Sequence, residues 1–102
     1  MSSDYLTEFP DFGELPPQVS ALVASGVLAD ESWHHDACPS FCLAAHARAD
    51  IDAKRTLWID YADRSQRSDP AAPRYLVKFP EEAKRDFFAT DDLGEALAAL
   101  LA

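Results

Sequence analysis

Apolar residues first recur regularly after an irregular N-terminal segment. Residues 1–15 mix aromatic and acidic side chains around a proline and a glycine, and they show neither helical nor strand periodicity. Two prolines then suit the first turn of a helix and Gly26 suits its end, and the apolar residues between them have helical spacing: Val19, Leu22 and Val23. We therefore predict an N-terminal arm over residues 1–15 and a helix at the start of a single domain over residues 16–102.

The apolar period becomes that of a β-strand at Phe41. Alternating, β-branched and aromatic residues predict strands over residues 41–48, 56–61, 74–79 and 86–90. Short connections between them favour an antiparallel meander. We expect residues 28–33 to form a turn or one short helical turn in which Trp33 fills the edge of the core, and residues 63–73 to form a solvated polar loop.

The clearest helical stripe lies at the C-terminus. Its apolar residues fall on one face of a helix, and they are Leu93, Ala96, Leu97, Leu100 and Leu101. Thr90 or Asp91 is the expected N-cap, because short polar side chains there accept hydrogen bonds from the first turn. The predicted fold is α+β: an antiparallel sheet of three to four strands with an N-terminal and a C-terminal helix, in the order α-β-β-β-β-α.

Length and composition agree with a single small domain. The chain has 102 residues, of which 48% are hydrophobic. No apolar stretch approaches the roughly 20 residues of a membrane-spanning helix. The first residues carry acids instead of the basic start and apolar run of a signal peptide. We therefore expect a soluble, cytoplasmic protein that does not bind a membrane.

The charge is large and unevenly placed. The formal net charge is −9, and residues 1–36 contain seven acids and no Lys or Arg. Such a field repels nucleic-acid phosphates and anionic lipids, whereas it attracts basic surfaces. This distribution predicts a basic protein partner and no direct contact with nucleic acid.

One segment groups residues that can bind metals. His34, Cys38, Cys42 and His46 recur every four residues, and His35 and Asp36 lie between the first two. On a single helix the first and last would be about 18 Å apart, too far for one ion. On a strand, Cys42 and His46 would be about 13 Å apart. We therefore predict no cofactor, and we keep as an alternative a small metal or thiol enzyme using His34, His35, Asp36 and Cys38, with Cys42 as a further metal candidate.

If both predicted helices cover one face of the sheet, its second face remains open. Its residues are mixed in polarity: Cys42, His46, Thr56, Trp58, Asp60, Leu76 and Lys78. A Trp beside a Leu, surrounded by polar groups, is typical of a partner contact or a homodimer interface. The alternative is that the arm covers this face, with Phe9 and Phe12 against Trp58.

These patterns favour a binding protein over an enzyme. We expect a small acidic, non-enzymatic protein that docks on a basic protein surface, for example a nucleic-acid-mimicking inhibitor of the anti-CRISPR or immunity type acting on a nucleic-acid-binding protein. A structural homodimer through the Trp58 face is a further alternative. The predicted partner-binding residues are the acids of the first third and two tryptophans: Asp4, Glu8, Asp11, Glu14, Asp30, Glu31, Trp33, Asp36 and Trp58.

Overall fold

Five antiparallel strands form one sheet in the order of the chain, β1-β2-β3-β4-β5. The computed structural model describes residues 4–83 and 85–102. The strands are β1 (Leu28–Asp30), β2 (Ser40–Leu43), β3 (Thr56–Ile59), β4 (Tyr75–Lys78) and β5 (Phe87–Thr90). The helices are α1 (Tyr5–Glu8), α2 (Pro17–Ala24) and α3 (Leu93–Leu101). The α+β class, the antiparallel sheet and the two terminal helices are confirmed, and the sheet has one strand more than expected.

The additional strand is β1, where the sequence predicted a turn. It pairs with β2 so that Leu28 lies opposite Leu43 and Asp30 opposite Phe41. Three residues are too few to show a period of two, so tertiary pairing decides this segment. Trp33 does not fill the edge of the core, since it is 50% exposed.

The predicted strand over residues 41–48 is too long. Strand β2 ends at Leu43, and Ala44–His46 form a short 3₁₀ helix. The alternation beyond Leu43 consists mostly of alanines, which favour strands weakly and match a helix equally well. His46 therefore does not belong to the sheet.

The core lies on the face of the sheet that carries Phe41, Leu57, Ile59 and Val77, all with no exposed surface. Helix α3 packs over β3, β4 and β5, and α2 packs beside β1. Each helix contributes residues to the same cluster, including Val19, Ala96 and Leu100. No helix of the described residues has the length and apolarity needed to cross a bilayer.

Helix α3 differs in detail from the prediction. Asp92 is its N-cap and accepts a hydrogen bond from the Glu95 N–H at 3.0 Å, so the cap is neither Thr90 nor Asp91. The stripe is buried at its centre, but Leu101 is 44% exposed at the last turn.

The arm packs on the core face of its own domain. Phe9, Phe12 and Leu15 are buried in the same cluster as the strands, and the ring centroids of Phe12 and Tyr61 are 5.2 Å apart. The alternative in which Phe9 and Phe12 cover Trp58 is therefore wrong. Residues 1–3 of the predicted arm lie outside the described residues.

Candidate binding site on the open face of the sheet

The second face of the sheet carries a row of side chains across four strands. Ser40 pairs with Trp58, Trp58 with Leu76, and Leu76 with Ala89. We name these four residues the Trp58 row. Trp58 and Leu76 are half-buried and Ala89 is exposed, so none of the three helices seals the row.

A cleft of about 450 Å³ lies over this row, and we name it the Trp58 cleft. Trp58, Leu76 and Ala89 line it from the sheet. The remaining lining residues come from two loops, Asp36, Ala37 and Cys38 from the first and Asp60, Ala72, Pro73 and Arg74 from the second. The cleft thus combines apolar surface with two carboxylates and one guanidinium.

A buried arginine shapes the second loop. Arg67 is only 7% exposed, and its guanidinium donates to three backbone carbonyls, those of Tyr61 at 2.6 Å, Ala72 at 2.8 Å and Ala62 at 3.4 Å. A buried charge needs such partners, since losing water without replacement is costly. The prediction of a solvated loop over residues 63–73 is therefore wrong at its centre. Sequence reasoning missed this role of Arg67. The signal for it is an arginine in a turn-rich segment, because the backbone carbonyls of turns need hydrogen-bond donors.

Arg74 is also engaged within the chain. Its Nε donates to the Asp60 carbonyl at 3.1 Å, and its guanidinium carbon lies 5.5 Å from the Tyr75 ring centroid. These contacts keep the guanidinium at the wall of the cleft.

A buried ion pair shapes the other side of the face. Lys54 Nζ lies 2.6 Å from Glu31 Oε2, and Lys54 is 5% exposed. Cys42 lies next to this pair and is fully buried. The neighbouring Thr56 hydroxyl is buried without a hydrogen-bond partner among the described residues. This side of the face, over β1 to β3, is therefore closed, whereas the Trp58 side is open.

The Cys38 thiol reports the electrostatics of the cleft. Burial, with the negative charges of Asp60 and Asp36 as the next causes, raises the pKa of Cys38 to about 12. The thiol is thus protonated at neutral pH. Burial disfavours any ion at this thiol, and the two carboxylates act in addition against an anion.

The histidines and cysteines of the metal hypothesis do not converge. Across residues 4–83 and 85–102, no group of three or more His, Cys, Asp or Glu side chains is placed to hold an ion. His34 and His35 stack beside Trp33 at the surface, and His34 Nδ1 lies 3.2 Å from Glu8 Oε1. Burial, with help from Glu31, raises the pKa of Cys42 to about 12.

Most acids of the first third have contacts within the chain. Asp30 accepts hydrogen bonds from the Tyr5 N–H at 2.7 Å and the Ser32 N–H at 2.9 Å. Asp11 accepts from the Tyr61 hydroxyl at 3.0 Å, and Asp4 caps α1. These bonds, together with the Glu31 and Glu8 contacts, hold the arm and β1 in place.

The structure brings two of the nine predicted partner-binding residues together in the Trp58 cleft, Asp36 and Trp58. Glu14 is exposed on the arm. Asp60 and Arg74 complete the polar part of the cleft, and neither was predicted to bind a partner.

No known protein family, curated protein or solved structure matches this chain in the three comparisons made. The functional proposal below therefore rests on the geometry of the open face.

Proposed function

We propose that the protein is a small non-enzymatic binding protein that docks on a basic protein surface through the Trp58 cleft. One observation carries this proposal. An indole and a leucine side chain line an open cleft beside Asp36 and Asp60, and neither carboxylate forms an ion pair with a described residue.

This combination suits a lysine or arginine side chain of the partner. The aliphatic stem of such a residue packs on Trp58 and Leu76, and its charged group reaches Asp36 and Asp60. A cation over the indole face contributes about 0.5–2 kcal/mol, more as the site loses water. The net charge of −9 supports the same partner, since it accelerates the encounter with a cationic surface.

The finer proposal concerns the identity of the partner. A basic surface large enough to meet so acidic a chain is typical of a nucleic-acid-binding protein. The chain would then act as a nucleic-acid mimic of the anti-CRISPR or immunity type, with carboxylates occupying sites that otherwise hold phosphates. The net charge of −9 supports this class.

The enzyme alternative has less support. A thiol nucleophile reacts as the thiolate, and the pKa of Cys38, at about 12, leaves almost none of it ionised at neutral pH. The metal variant lacks a converged ligand set among the described residues.

A homodimer through the Trp58 face is the second candidate, because the same half-buried indole and leucine suit a second copy. In that case Trp58→Ala abolishes self-association and has no effect on binding to basic probes.

The test uses Trp58 as its own reporter. In a Trp33→Phe chain, Trp58 is the one remaining tryptophan. We titrate this chain with an octa-arginine peptide and follow the fluorescence of Trp58. We expect a change in emission that weakens as salt rises, and a Kd that increases at least about tenfold in the double variant Asp36→Asn/Asp60→Asn.

The matched control is Glu14→Gln/Asp50→Asn, which removes the same charge from exposed positions outside the cleft. Equal weakening by both double variants would show that only net charge matters and would overturn the cleft as the site. For the finer proposal, a host protein captured by the wild-type and control chains must be lost by the cleft variant and displaced by DNA or RNA.

A further inference from the structure

The Trp58 cleft contains charges of both signs. Asp36 and Asp60 line it together with Arg74, and all three residues are half-buried. None of them forms an ion pair with a described residue. A charge that is partly removed from water without a partner is costly, and a ligand of opposite charge offsets that cost. The cleft therefore suits a ligand that carries both a cation and an anion.

Each sign also keeps atoms that can bind such a ligand. The Arg74 Nε donates to the Asp60 carbonyl at 3.1 Å, and Nη1 lies 3.5 Å from the Tyr75 hydroxyl. A guanidinium has five N–H groups, and Nη2 forms no hydrogen bond with a described residue. Asp60 Oδ1 accepts from the Tyr61 N–H at 2.8 Å, which leaves Oδ2 as an acceptor for a ligand.

The three charges are arranged in order across the sheet. The Ile59 N–H donates to the Pro39 carbonyl at 3.0 Å, so the loop that carries Asp36 lies on the β2 side of β3. The Asp60 N–H donates to the Arg74 carbonyl at 2.7 Å, so Arg74 lies on the β4 side. Because neighbouring strands are about 4.8 Å apart, β2 and β4 are separated by roughly 10 Å. The negative charges thus lie towards one side of the cleft and the positive charge towards the other.

We propose that the occupant of the Trp58 cleft is the C-terminal lysine or arginine of the basic partner, an inference that rests on the function proposed above. The side-chain cation of this residue binds Asp36 and Asp60. Its aliphatic stem crosses the apolar floor formed by Trp58 and Leu76. Its α-carboxylate accepts charge-assisted hydrogen bonds from Arg74. An extended basic side chain with a hydrogen bond at each end suits the separation between the two charged sides.

A C-terminal residue fits this cleft better than an internal one. It combines the cation, the apolar stem and the anion in a single residue, and a cleft of about 450 Å³ is small for a ligand site. An internal lysine or arginine brings no anion and leaves Arg74 without a partner. A free basic amino acid has the anion, but it also places an α-ammonium beside Arg74, and the like charges repel.

The test compares two peptides that differ only at the C-terminus. The probes are N-acetylated glycyl-glycyl-lysine as the free acid and the same peptide as the C-terminal amide, so both carry the ammonium and only the first carries the carboxylate. We titrate the Trp33→Phe chain with each peptide up to millimolar concentration and follow Trp58 fluorescence. We expect the free acid to bind at least about fivefold more tightly than the amide.

Arg74→Gln tests whether this preference comes from the guanidinium. The preference should disappear in this variant, while the amide should bind at least as tightly as before, because the cleft has lost a positive charge. Damage to the cleft would instead weaken both peptides. Arg48→Gln is the matched control, since it removes the same charge from an exposed position outside the cleft, and it retains the preference.

The outcomes separate this inference from the proposed function. Equal binding of acid and amide, a preference that survives Arg74→Gln, or octa-arginine binding without binding of either short peptide would overturn the C-terminal residue as the occupant and leave the basic partner in place. Free lysine that binds more tightly than the acetylated acid would assign the cleft to a free amino acid instead. Absence of binding by octa-arginine and by both peptides would overturn both proposals.

Discussion

The two faces of the sheet are built from alternate residues of the same strands, yet they differ in how deeply their side chains are buried. On the core face, Leu57 and Val77 lie opposite each other and have no exposed surface. On the other face, Trp58 and Leu76 are also opposite each other, one residue further along, and both remain half-buried. Two helices and the arm cover the first face, and a cleft lies over the second.

The comparison also separates two uses of acidic residues. Acids near the core face, such as Asp11 and Asp30, accept hydrogen bonds that hold the arm. Asp36 and Asp60 line the cleft on the open face. Most acids of the first third are engaged within the chain, so the number of acids in this segment overstates the binding surface that it provides.

The largest expected effect concerns side-chain packing. Replacing one leucine on each face of the sheet by alanine tests it. Leu57→Ala should lower the free energy of unfolding by about 2–5 kcal/mol, because it leaves a cavity in the core. Leu76→Ala removes the same atoms from a half-buried position and should cost about 1 kcal/mol. Urea denaturation measures both. Equal losses would show that the open face is packed as tightly as the core.

The next effect concerns the closed part of the second face. Glu31→Gln leaves the Lys54 ammonium buried without its partner, and we expect a loss of about 1–3 kcal/mol, reduced from the fully buried case because Glu31 is 25% exposed. The double variant Glu31→Leu/Lys54→Met should be more stable than Glu31→Gln. A double variant less stable than Glu31→Gln would show that the pair itself stabilises this region.

A smaller effect tests how the arm is held on the core face. Tyr61→Phe removes the hydrogen bond to Asp11 and should cost about 1 kcal/mol at pH 7. Burial, with Asp11 as the next cause, raises the pKa of Tyr61 to about 12 from its ordinary value of 10.0. The folded state therefore holds this proton more tightly, and the associated stability, complete below pH 10, is lost as the pH rises towards 12.

The difference in stability between wild type and Tyr61→Phe should consequently be constant from pH 8 to about pH 10 and shrink above it, measured by urea denaturation at pH 8, 10 and 11. Tyr75→Phe is the control, since its hydroxyl lies near Arg74 and not near an acid. An unchanged difference across this range would contradict the assignment.

The smallest effect is the several-fold change in thiol reactivity that the charge of the cleft causes. In a Cys42→Ala chain, Cys38 should react with a thiol reagent at pH 8 much more slowly than in the unfolded chain, because a pKa of about 12 instead of 9.0 lowers the fraction of thiolate about a thousandfold. Asp36→Asn/Asp60→Asn should lower that pKa and speed the reaction several-fold. Glu14→Gln/Asp50→Asn should not, and equal acceleration by both would mean that the cleft has no local field.

The sequence predicts the fold best where large aliphatic residues set the period. Strands β3 and β4 and helix α3 follow from runs such as residues 56–59 and 93–101, in which packing and periodicity agree. The sequence fails where the side chains are small or the element is short. Alanines extend the apparent strand β2 past Leu43, and three residues of β1 carry no periodic signal.

The candidate site is less predictable, because its walls depend on long-range contacts. Trp58 and Asp36 are visible as candidates, but their meeting depends on loops from residues 31–39 and 60–74. Arg67 organises the second loop. Composition alone does not reveal that this arginine is buried. Burial and pairing of polar residues are properties of the assembled chain, whereas periodicity is a property of the sequence.

The first wall of the cleft is anchored before any partner arrives. The Glu31–Lys54 pair and the bond from the Ser40 N–H to the Ser32 hydroxyl, at 3.3 Å, fix one end of the segment that carries Asp36, and the bond from Ile59 N–H to the Pro39 carbonyl fixes the other. Folding has thus already met the entropic cost of ordering this wall. A partner that binds this wall should cause little rearrangement of the protein. The affinity of that complex should be insensitive to crowding agents or osmolytes that act by compacting flexible segments.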